Sequence, residues 1–341
     1  MIGDARIAYY SDTREPWHPA VQREEMMFAG IDIGGTRIKG VLTDHSGNEL
    51  SFKEIETPKT AKDIDEGIGR LIETLATSAT VSKIDIKAIG IGSPGPIDKE
   101  KGTILKAPNI PSFNNHPIVK NIESLTGARV YLENDATVAL AGAWWKENVS
   151  RFRNWIMVTL GTGIGGGAVI DNKIYPGQSG NAMEVGHMSI EFNGRACPCG
   201  NRGCWERYAS GTAMVDNAGT HLKKHKGSAI LARTKQEPLT PLLIFEEAMN
   251  KDAAALIILE EYAEFVGVGI ANLVNIFNPE AILVGGGVSR AHKFILPVVK
   301  QVVNERALKG FKGHFQLLPV QEPSKVPAFG AAKIAIDLTN K

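Results

Sequence analysis

Residues 28–43 read FAGIDIGGTRIKGVLT, and this pattern decides the fold of the chain around them. Two short β-rich runs flank the turn Gly34-Gly35-Thr36, which predicts a β-hairpin. Asp32 lies near the end of the first run, just before the turn. Glycines let backbone N–H groups approach a phosphate closely, and an adjacent acid can hold Mg²⁺ or its water. We therefore predict that this turn binds phosphate and that Asp32 holds Mg²⁺ or its water, although most glycine turns are only turns.

A second copy of the pattern occupies residues 155–170, which read WIMVTLGTGIGGGAVI. Its glycine turn is expected at residues 161–167, with a strand at 168–170, and Gly161, Thr162, Gly163 and Gly165 are its predicted phosphate-binding residues. The repeat indicates an internal duplication of one α/β unit. The turn also matches the Gly-x-Gly-x-x-Gly dinucleotide fingerprint, but that fingerprint opens a helix and here a β-rich run follows. No Gly-x-x-x-x-Gly-Lys-[Ser/Thr] motif occurs, so a P-loop is excluded.

A third glycine turn follows the buried apolar run at 281–284, and its residues Gly285 and Gly286 suit contact with a nucleoside. Between the turns, apolar residues recur with helical spacing or follow a capping residue. These patterns predict helices at residues 60–79, 117–126, 135–145, 211–235, 252–277 and 328–338.

The three cysteines of the chain lie close together and follow a histidine: His187, Cys197, Cys199 and Cys204. A structural zinc site closes a tetrahedron of four protein ligands, with thiolates at ~2.3 Å and imidazole nitrogen at ~2.0–2.1 Å. The alternatives are a disulfide with one spare thiol, or three buried structural cysteines. A Cys-x-Cys pair is awkward for a disulfide, and the spacing therefore predicts a structural Zn²⁺ site.

Length and composition exclude several classes of protein. A chain of 341 residues exceeds the size at which one core keeps growing, so two domains are expected. A net charge of +1 without a basic stripe argues against nucleic acid as a partner. No apolar run reaches the ~18–20 residues of a membrane span, and three metal-bound thiolates suit a reducing, cytoplasmic location.

The predicted domain boundaries follow the two copies of the motif. Residues 1–27 are polar, lack a clean period and form an N-terminal extension. A small α/β domain is expected at 28–134, completed by the C-terminal helix 328–341. A large α/β domain that contains the zinc site is expected at 135–327.

Candidate catalytic and binding side chains follow a predicted strand at Glu133-Asn134-Asp135. An acid at a strand-to-helix junction is as readily a helix cap as a functional group, so capping is the alternative for Asp135. Asn134 offers an amide that recognises hydroxyl groups. Glu184 and Glu206 flank the predicted zinc ligands, although each alone is more often a solvated surface acid.

Five of these elements together resemble the ROK family of bacterial-type sugar kinases over residues 28 to 338. They are DIGGT at 32–36, END at 133–135, GTGIGGG at 161–167, EVGH at 184–187 and CPCGNRGCWE at 197–206. The last is highly specific, whereas the first alone is not. The resemblance implies an α/β, two-domain hexokinase/actin-like ATPase (ribonuclease H-like) fold with internal duplication.

The resemblance also implies roles for individual residues. In the family the residue that matches Asp135 is the catalytic base, and the glycine turns hold ATP with its Mg²⁺. The matching residues Asn109, Asn134, Asp135, Glu184, His187 and Glu206 hold the sugar. Family members are usually dimers or tetramers, so a homodimer or homotetramer is expected.

The implied reaction is ATP-dependent phosphorylation of the 6-hydroxyl of a hexose, and glucose is the commonest family substrate. N-acetylmannosamine, N-acetylglucosamine, allose and fructose are competing substrates, and polyphosphate is a competing donor. A sugar-sensing regulator without a DNA-binding domain is the alternative of another class. Because residues 1–27 are too few for the winged helix-turn-helix of family repressors, an enzyme is expected.

Three positions depart from the family pattern. Phe113 stands where a Trp is usual, Arg37 where a Lys is frequent, and Met183 where a Gly usually precedes the acid. The first and third lie near the sugar side. They therefore leave the identity of the sugar more open than phosphoryl transfer itself.

Overall fold

The computed structural model describes residues 26–82, 85–107, 110–178 and 182–340. These residues divide into two compact units. The N-terminal unit comprises residues 26–151 and 324–340, and the C-terminal unit comprises Phe152–Pro323. Each unit is built on one five-stranded sheet.

The N-terminal unit has a main sheet with the order β3-β2-β1-β4-β8 and a small sheet with the order β5-β6-β7. Its strands are β1 (Met27–Ile33), β2 (Arg37–Asp44), β3 (Glu49–Glu56), β4 (Ile86–Ser93), β5 (Ile97–Asp98), β6 (Thr103–Lys106), β7 (Asn114–His116) and β8 (Arg129–Asn134). Its helices are α1 (Ala61–Ser78), α2 (Ile118–Thr126), α3 (Asp135–Lys146) and, from the end of the chain, α10 (Val326–Thr339).

The C-terminal unit has a sheet with the order β11-β10-β9-β12-β13. Its strands are β9 (Trp155–Leu160), β10 (Ile164–Ile170), β11 (Lys173–Ile174), β12 (Ala281–Gly285) and β13 (Gln316–Pro319). Its α-helices are α4 (Glu206–Ala209), α5 (Gly211–Lys224), α6 (Ala229–Arg233), α7 (Pro241–Met249), α8 (Ala253–Phe277) and α9 (His292–Arg306). Short 3₁₀ helices occupy Val185–His187, Gly287–Ala291 and Lys309–Phe311.

The two sheets have the same topology. In each, the first three strands form an antiparallel meander, and two further strands add in parallel on the other side of the first strand. The predicted internal duplication is therefore confirmed. The shared plan arises because each copy of the motif makes a tight glycine turn, which can join only antiparallel neighbours, whereas parallel neighbours need a longer crossover.

The apolar character of β1 follows from its position in the N-terminal sheet. Ala29, Ile31 and Ile33 pack in one core with residues of α1 and α2. Phe28 packs in a separate cluster with Ala335 of α10. Because helices cover both faces of the strand, both sets of alternate residues must be apolar, and the sequence reads as a continuous buried run.

The boundary between the two units differs from the one expected from the sequence, which placed the end of the small domain at residue 134 and the start of the large domain at residue 135. Helix α3 belongs to the N-terminal unit, which continues to Arg151. A Cβ at Gly142 of α3 would overlap the backbone of Val326, and one at Gly330 of α10 would overlap the backbone of Val138. The two helices thus approach closely enough for their backbones to touch, and α3 packs with α10 for this reason.

Most predicted helices agree with the structure to within two residues at each end. The exception is the helix predicted at 211–235, because α5 ends at Lys224 and the short helix α6 begins at Ala229. Ser228 caps α6, since its Oγ accepts a hydrogen bond from Ile230 N at 3.2 Å. A serine that satisfies a free helix N–H favours a new helix start over continuation.

Helix α8 is the longest described helix, with 25 residues, and lies in the core of the C-terminal unit. It carries glutamates at positions 260, 261 and 264. Within the described residues, no helix is both long and apolar enough to cross a membrane.

Candidate active site

The first glycine turn connects β1 to β2 in the N-terminal unit. The N–H of Gly34 donates to Arg37 O at 3.0 Å, and the hydroxyl of Thr57 donates to Gly34 O at 2.7 Å. Gly35 and Thr36 are exposed. The turn is therefore closed by its own backbone and by Thr57, while its tip stays open to solvent, as a phosphate-binding turn requires. Nothing in the sequence pointed to Thr57.

Asp32 is buried near the end of β1 and faces Lys39 of β2, with 3.7 Å between Oδ2 and Nζ. Burial raises the pKa of Asp32 above its ordinary value of 3.8, and the charge of Lys39 offsets only part of that effect. The hairpin register, which pairs positions 32 and 39, could have identified Lys39 from the sequence. A buried carboxylate beside an open phosphate turn suits Mg²⁺ that is held through phosphate and water.

Replacing Asp32 by asparagine is expected to raise the free energy of unfolding at neutral pH. A raised native pKa means that the native state disfavours the ionised carboxyl. The free energy of unfolding of the wild type therefore falls as pH rises from the pKa of Asp32 in the unfolded state through its higher pKa in the native state. The asparagine variant has no carboxyl at this position and does not lose this stability. The advantage of the variant should shrink as pH falls towards about 4. Urea unfolding at several pH values measures it.

Asp98→Asn is the matched control for this experiment. The backbone N–H of Lys101 donates to the Asp98 carboxylate and lowers its pKa, so its removal should bring no gain in stability at neutral pH. The predicted role of burial would be contradicted if Asp32→Asn were no more stable than the wild type at neutral pH, or if its gain in stability were the same at all pH values.

Asp135 is the first residue of α3, at the carboxyl end of β8 in the N-terminal unit. The capping position belongs to its neighbour, because Asn134 Oδ1 accepts a hydrogen bond from Ala136 N at 2.9 Å. The Ala136 N–H also lies 2.8 Å from Asp135 Oδ1. The capping position therefore belongs to Asn134, although the Asp135 carboxylate lies within reach of the same N–H.

Glu133 supports this junction from the sheet. It is buried, accepts a hydrogen bond from Asn134 N at 2.9 Å and pairs with Lys99 Nζ at 2.7 Å. The amide nitrogen of Asn134 lies 3.4 Å from Gly95 O. The backbone that carries the predicted base is thus anchored on both sides. Lys99 could not be found from the sequence, because it is distant in the chain.

Residue 109 falls between the described ranges 85–107 and 110–178, so the predicted sugar contact of Asn109 lies outside the described residues. Phe113, which replaces the usual Trp of the family, is buried and stacks on His116 with 4.8 Å between ring centroids. His116 Nε2 and Asn121 Nδ2 lie 2.9 Å and 2.8 Å from the buried carboxylate of Asp65. Sequence reasoning missed this cluster.

The second glycine turn connects β9 to β10 in the C-terminal unit. The N–H of Gly161 donates to Gly163 O at 3.0 Å. The turn carbonyls accept further hydrogen bonds from Gly211 N to Gly161 O at 2.7 Å and from Thr212 Oγ1 to Thr162 O at 2.9 Å. The turn is therefore held from outside by the start of α5. A strand follows it as predicted, but β10 begins at Ile164, inside the stretch 161–167 that was predicted as turn, because Gly165, Gly166 and Gly167 pair with β9.

The remaining predicted nucleotide residues lie around the same end of this sheet. Gly165 lies in β10 opposite Thr159, and Gly285 ends β12, also beside Thr159. Gly286 has a φ of +84° and lies against the backbone of Leu160. The second and third glycine turns therefore meet at the carboxyl ends of two neighbouring parallel strands, where open α/β sheets bind ligands.

The four predicted metal ligands come together in the C-terminal unit. Their ligand atoms all lie within 4.8 Å of one another. Cys197 Sγ is 3.7 Å from His187 Nδ1, and Cys199 Sγ is 3.6 Å from Cys204 Sγ. A tetrahedron with a radius of ~2.3 Å has an edge of about 3.8 Å, so both separations fit ligands that share one Zn²⁺.

The chemistry of the donor set also fits a metal. Burial raises the pKa of Cys204 to about 12, so its thiol does not ionise at neutral pH without a nearby cation. The backbone N–H of Asn201 lowers the pKa of Cys199. A dication would stabilise both thiolates. Because His187 turns Nδ1 towards Cys197, its Nε2 is left to bind another group.

The two flanking carboxylates differ in their surroundings. Glu184 is exposed and precedes the 3₁₀ turn that carries His187. Glu206 is half-buried, begins α4 and accepts a hydrogen bond on Oε2 from Ile164 N at 2.9 Å. Glu206 is therefore tied to the second glycine turn, a contact that the sequence did not predict.

Met183, the residue before Glu184, has a φ of +68°. This left-handed conformation suits glycine, whereas a residue with a Cβ pays about 1–2 kcal/mol for it. Methionine at this position, where the family usually has Gly, therefore has a strained backbone. The strained position directly precedes a predicted sugar ligand, where strain is commonly stored.

Met183→Gly is expected to be more stable to urea than Met183→Ala by about 1 kcal/mol. Both changes remove the same side chain, so their difference isolates the cost of a Cβ at positive φ. At a residue with ordinary helical φ the order would be reversed. Equal stability, or a more stable alanine variant, would contradict strain at this position.

The two sheets, the paired glycine turns and the carboxylate at a strand end define the class of actin-like ATPase folds. A model of the ROK family matches residues 28–338. A glucokinase of Halalkalibacterium halodurans is 36% identical over 285 residues, which cover 82% of this chain and 86% of that protein. A xylose repressor of Bacillus subtilis is 32% identical over 341 residues, which cover 99% of this chain and 84% of the repressor.

A solved ROK glucokinase of Streptomyces griseus, in complex with glucose and AMPPNP, is 33% identical with a TM-score of 0.81. The match covers 91% of this chain and 99% of that one. The chain therefore belongs to the ROK family. The fold implied by the sequence resemblance is confirmed, and the chain is similar to sugar kinases over nearly its whole described length.

Proposed function

We propose that the protein is an ATP-dependent hexose kinase that phosphorylates the 6-hydroxyl of glucose. The observation that carries this proposal is the Asp135 carboxylate, which ends β8 and lies at the start of α3 while its neighbour Asn134 makes the cap. A regulator that only binds sugar has no use for such a base. Similarity to glucokinases supports glucose as the substrate.

Asp135 is assigned the role of base, which accepts the proton of the sugar hydroxyl as its oxygen attacks the γ-phosphate. Positioning and charge stabilisation supply most of the rate in phosphoryl transfer. Mg²⁺ that accompanies ATP supplies positive charge at the phosphates. The hydroxyl-binding groups are assigned to Asn109, Asn134, Glu184, His187 and Glu206.

The nucleotide is assigned to the three glycine turns. In the N-terminal unit, the nucleotide is assigned to the exposed residues Gly35 and Thr36, together with Gly34 and the buried Asp32. In the C-terminal unit, Gly161, Thr162 and Gly163 form one turn, Gly165 follows in β10, and Gly285 and Gly286 form the neighbouring turn. Free backbone N–H groups in such turns bind phosphate oxygens.

Release of ADP in a coupled assay tests the reaction. Glucose with ATP should give the highest kcat/KM in a panel with N-acetylmannosamine, N-acetylglucosamine, allose and fructose. Replacing ATP by polyphosphate in the same assay tests the donor. Absence of sugar-dependent ADP release with every sugar would refute the kinase, and a preference for an amino sugar would refute glucose alone.

A sugar-sensing regulator is the second candidate, because the chain is 32% identical to a xylose repressor. It predicts that xylose binds while no sugar stimulates ADP release. Isothermal titration with xylose and with glucose, run beside the ADP assay, distinguishes the two functions.

Structural Zn²⁺ held by His187, Cys197, Cys199 and Cys204 is part of the proposal, supported by the ligand separations. Thiolate ligands and use of ATP suit a cytoplasmic enzyme. A homodimer or homotetramer is the expected assembly, and light scattering after size-exclusion chromatography measures it.

A further inference from the structure

Glu206 links two segments of the C-terminal unit that have separate proposed roles. It directly follows the metal-binding segment, and Trp205 before it is fully buried. The N–H of Trp205 donates to Met188 O and its indole Nε1–H donates to Phe265 O, each at 2.8 Å. The backbone that carries Glu206 is therefore anchored both to the metal-binding segment and to α8.

The side chain of Glu206 holds the second glycine turn. Its Oε2 accepts a hydrogen bond from Ile164 N at 2.9 Å, and a Cβ at Gly163 would overlap the same oxygen. Gly211 and Thr212 hold the carbonyls of Gly161 and Thr162. One short segment, residues 204–212, thus contacts the turn at three points.

The contacts of the turn leave specific groups available. In the described part of the chain, the N–H groups of Thr162 and Gly163 donate to no protein acceptor, whereas the next N–H, of Ile164, is taken by Glu206. The second carboxylate oxygen of Glu206, Oε1, likewise has no hydrogen-bond partner among the described residues. The hydrogen bond from Ile164 N to Glu206 Oε2 therefore joins two sets of available groups. Glu206 Oε1 is an acceptor on one side of it, and the N–H groups of Thr162 and Gly163 are donors on the other.

We propose that Glu206 is a positioning residue of the nucleotide site as well as a sugar ligand. Oε1 accepts from a sugar hydroxyl, while Oε2 holds Ile164 N and thereby shapes the turn whose free amides bind phosphate. Sugar binding fixes the carboxylate, and the fixed carboxylate orders the turn, so sugar and nucleotide bind with positive coupling. This inference rests on the proposed function, in which Glu206 binds the sugar.

The coupling is measured by titrating the wild-type protein with the non-hydrolysable nucleotide AMPPNP and Mg²⁺, with and without saturating glucose. A charge-assisted hydrogen bond of this kind can support a coupling of about tenfold in the dissociation constant. In Glu206→Gln, whose amide keeps the length of the side chain but not its charge, the ratio should fall to within about twofold of one.

A second pair of variants leaves Glu206 unchanged. Gly163→Ala places a methyl group where Oε2 lies, so it should weaken binding of glucose alone by about fivefold or more, although residue 163 belongs to the nucleotide turn. Gly219→Ala is the control, because Gly219 is exposed in α5 of the same unit and its added Cβ would meet no heavy atom within 4 Å. Its affinity for glucose without nucleotide should stay within about twofold of the wild type.

The outcomes separate the inference from the proposed function. Loss of the coupling ratio in Glu206→Gln, with weaker glucose binding in Gly163→Ala than in Gly219→Ala, supports the inference. A weakened glucose affinity with a wild-type coupling ratio overturns the inference and leaves the proposed function standing. A wild-type glucose affinity in Glu206→Gln removes Glu206 from the sugar site and overturns the inference, whereas the proposed kinase is tested separately by sugar-dependent ADP release.

Discussion

Asp135→Asn is expected to lower kcat by about 10²–10⁴-fold, because asparagine cannot accept the proton of the attacking hydroxyl. Glucose affinity should change by about twofold at most, since the amide keeps the size and hydrogen-bonding reach of the carboxylate. The expected signature is thus a loss in kcat without a matching loss in binding. Steady-state kinetics together with titration of glucose measure the two quantities separately.

Asp63→Asn is the matched control for this variant. Both Asp63 and Asp135 are acids in the first turn of a helix of the N-terminal unit. Each change removes a favourable interaction with a helix N-terminus of ~0.3–1 kcal/mol, so the two variants should lose similar stability. Only Asp135→Asn should lose turnover. A Asp135→Asn enzyme that retains more than about a tenth of the wild-type kcat would refute the role of Asp135 as base.

Cys199→Ser is expected to reduce the zinc content from about one ion per chain to nearly none, because a structural site depends on all four ligands. Metal binding contributes to folding free energy, so we expect the melting temperature to fall by about 5–10 °C. The segment that precedes Glu206 and carries His187 should loosen, which predicts a lower affinity for glucose. Elemental analysis, thermal unfolding and glucose titration measure the three effects.

Asn193→Ser tests whether these effects require a ligand. Asn193 is exposed in the same loop and belongs to no described metal-ligand group. Its variant should keep the zinc content and melting temperature of the wild type. Purified wild-type protein without zinc would end the metal proposal. A metal-free Cys199→Ser protein with unchanged stability and sugar affinity would end the structural role.

The duplicated architecture was readable from the sequence because it depends on local patterns. Each glycine turn joins two β-rich runs, and a tight turn allows only an antiparallel hairpin. The group of candidate metal ligands was readable for a similar reason, since Cys197, Cys199 and Cys204 are close in the chain. His187 is only ten residues before Cys197, so a short segment is enough to bring it to the cysteines.

Other features depend on contacts between residues that are distant in the chain. The sequence could not say whether Asp135 or Asn134 caps α3, because both side chains reach Ala136 N and the extended backbone of Asn134 decides which residue is the cap. It also missed the carboxylate of Asp65, which meets His116 and lies some fifty residues away from it along the chain. Such pairings are created by the packing of helices on the sheet and carry no local pattern.

The α/β class, the duplication, the glycine turns and the family could be read from the amino-acid sequence, because each rests on residue type at short spacing. Three features required the folded chain: the packing of α3 with α10, the left-handed backbone of Met183, and the hydrogen bond from Ile164 N to Glu206. The physical reason is that packing and hydrogen bonding act at a few ångströms in space. Within a hairpin, spacing along the chain determines which residues are in contact. Between distant segments it does not, so those contacts cannot be predicted from the sequence.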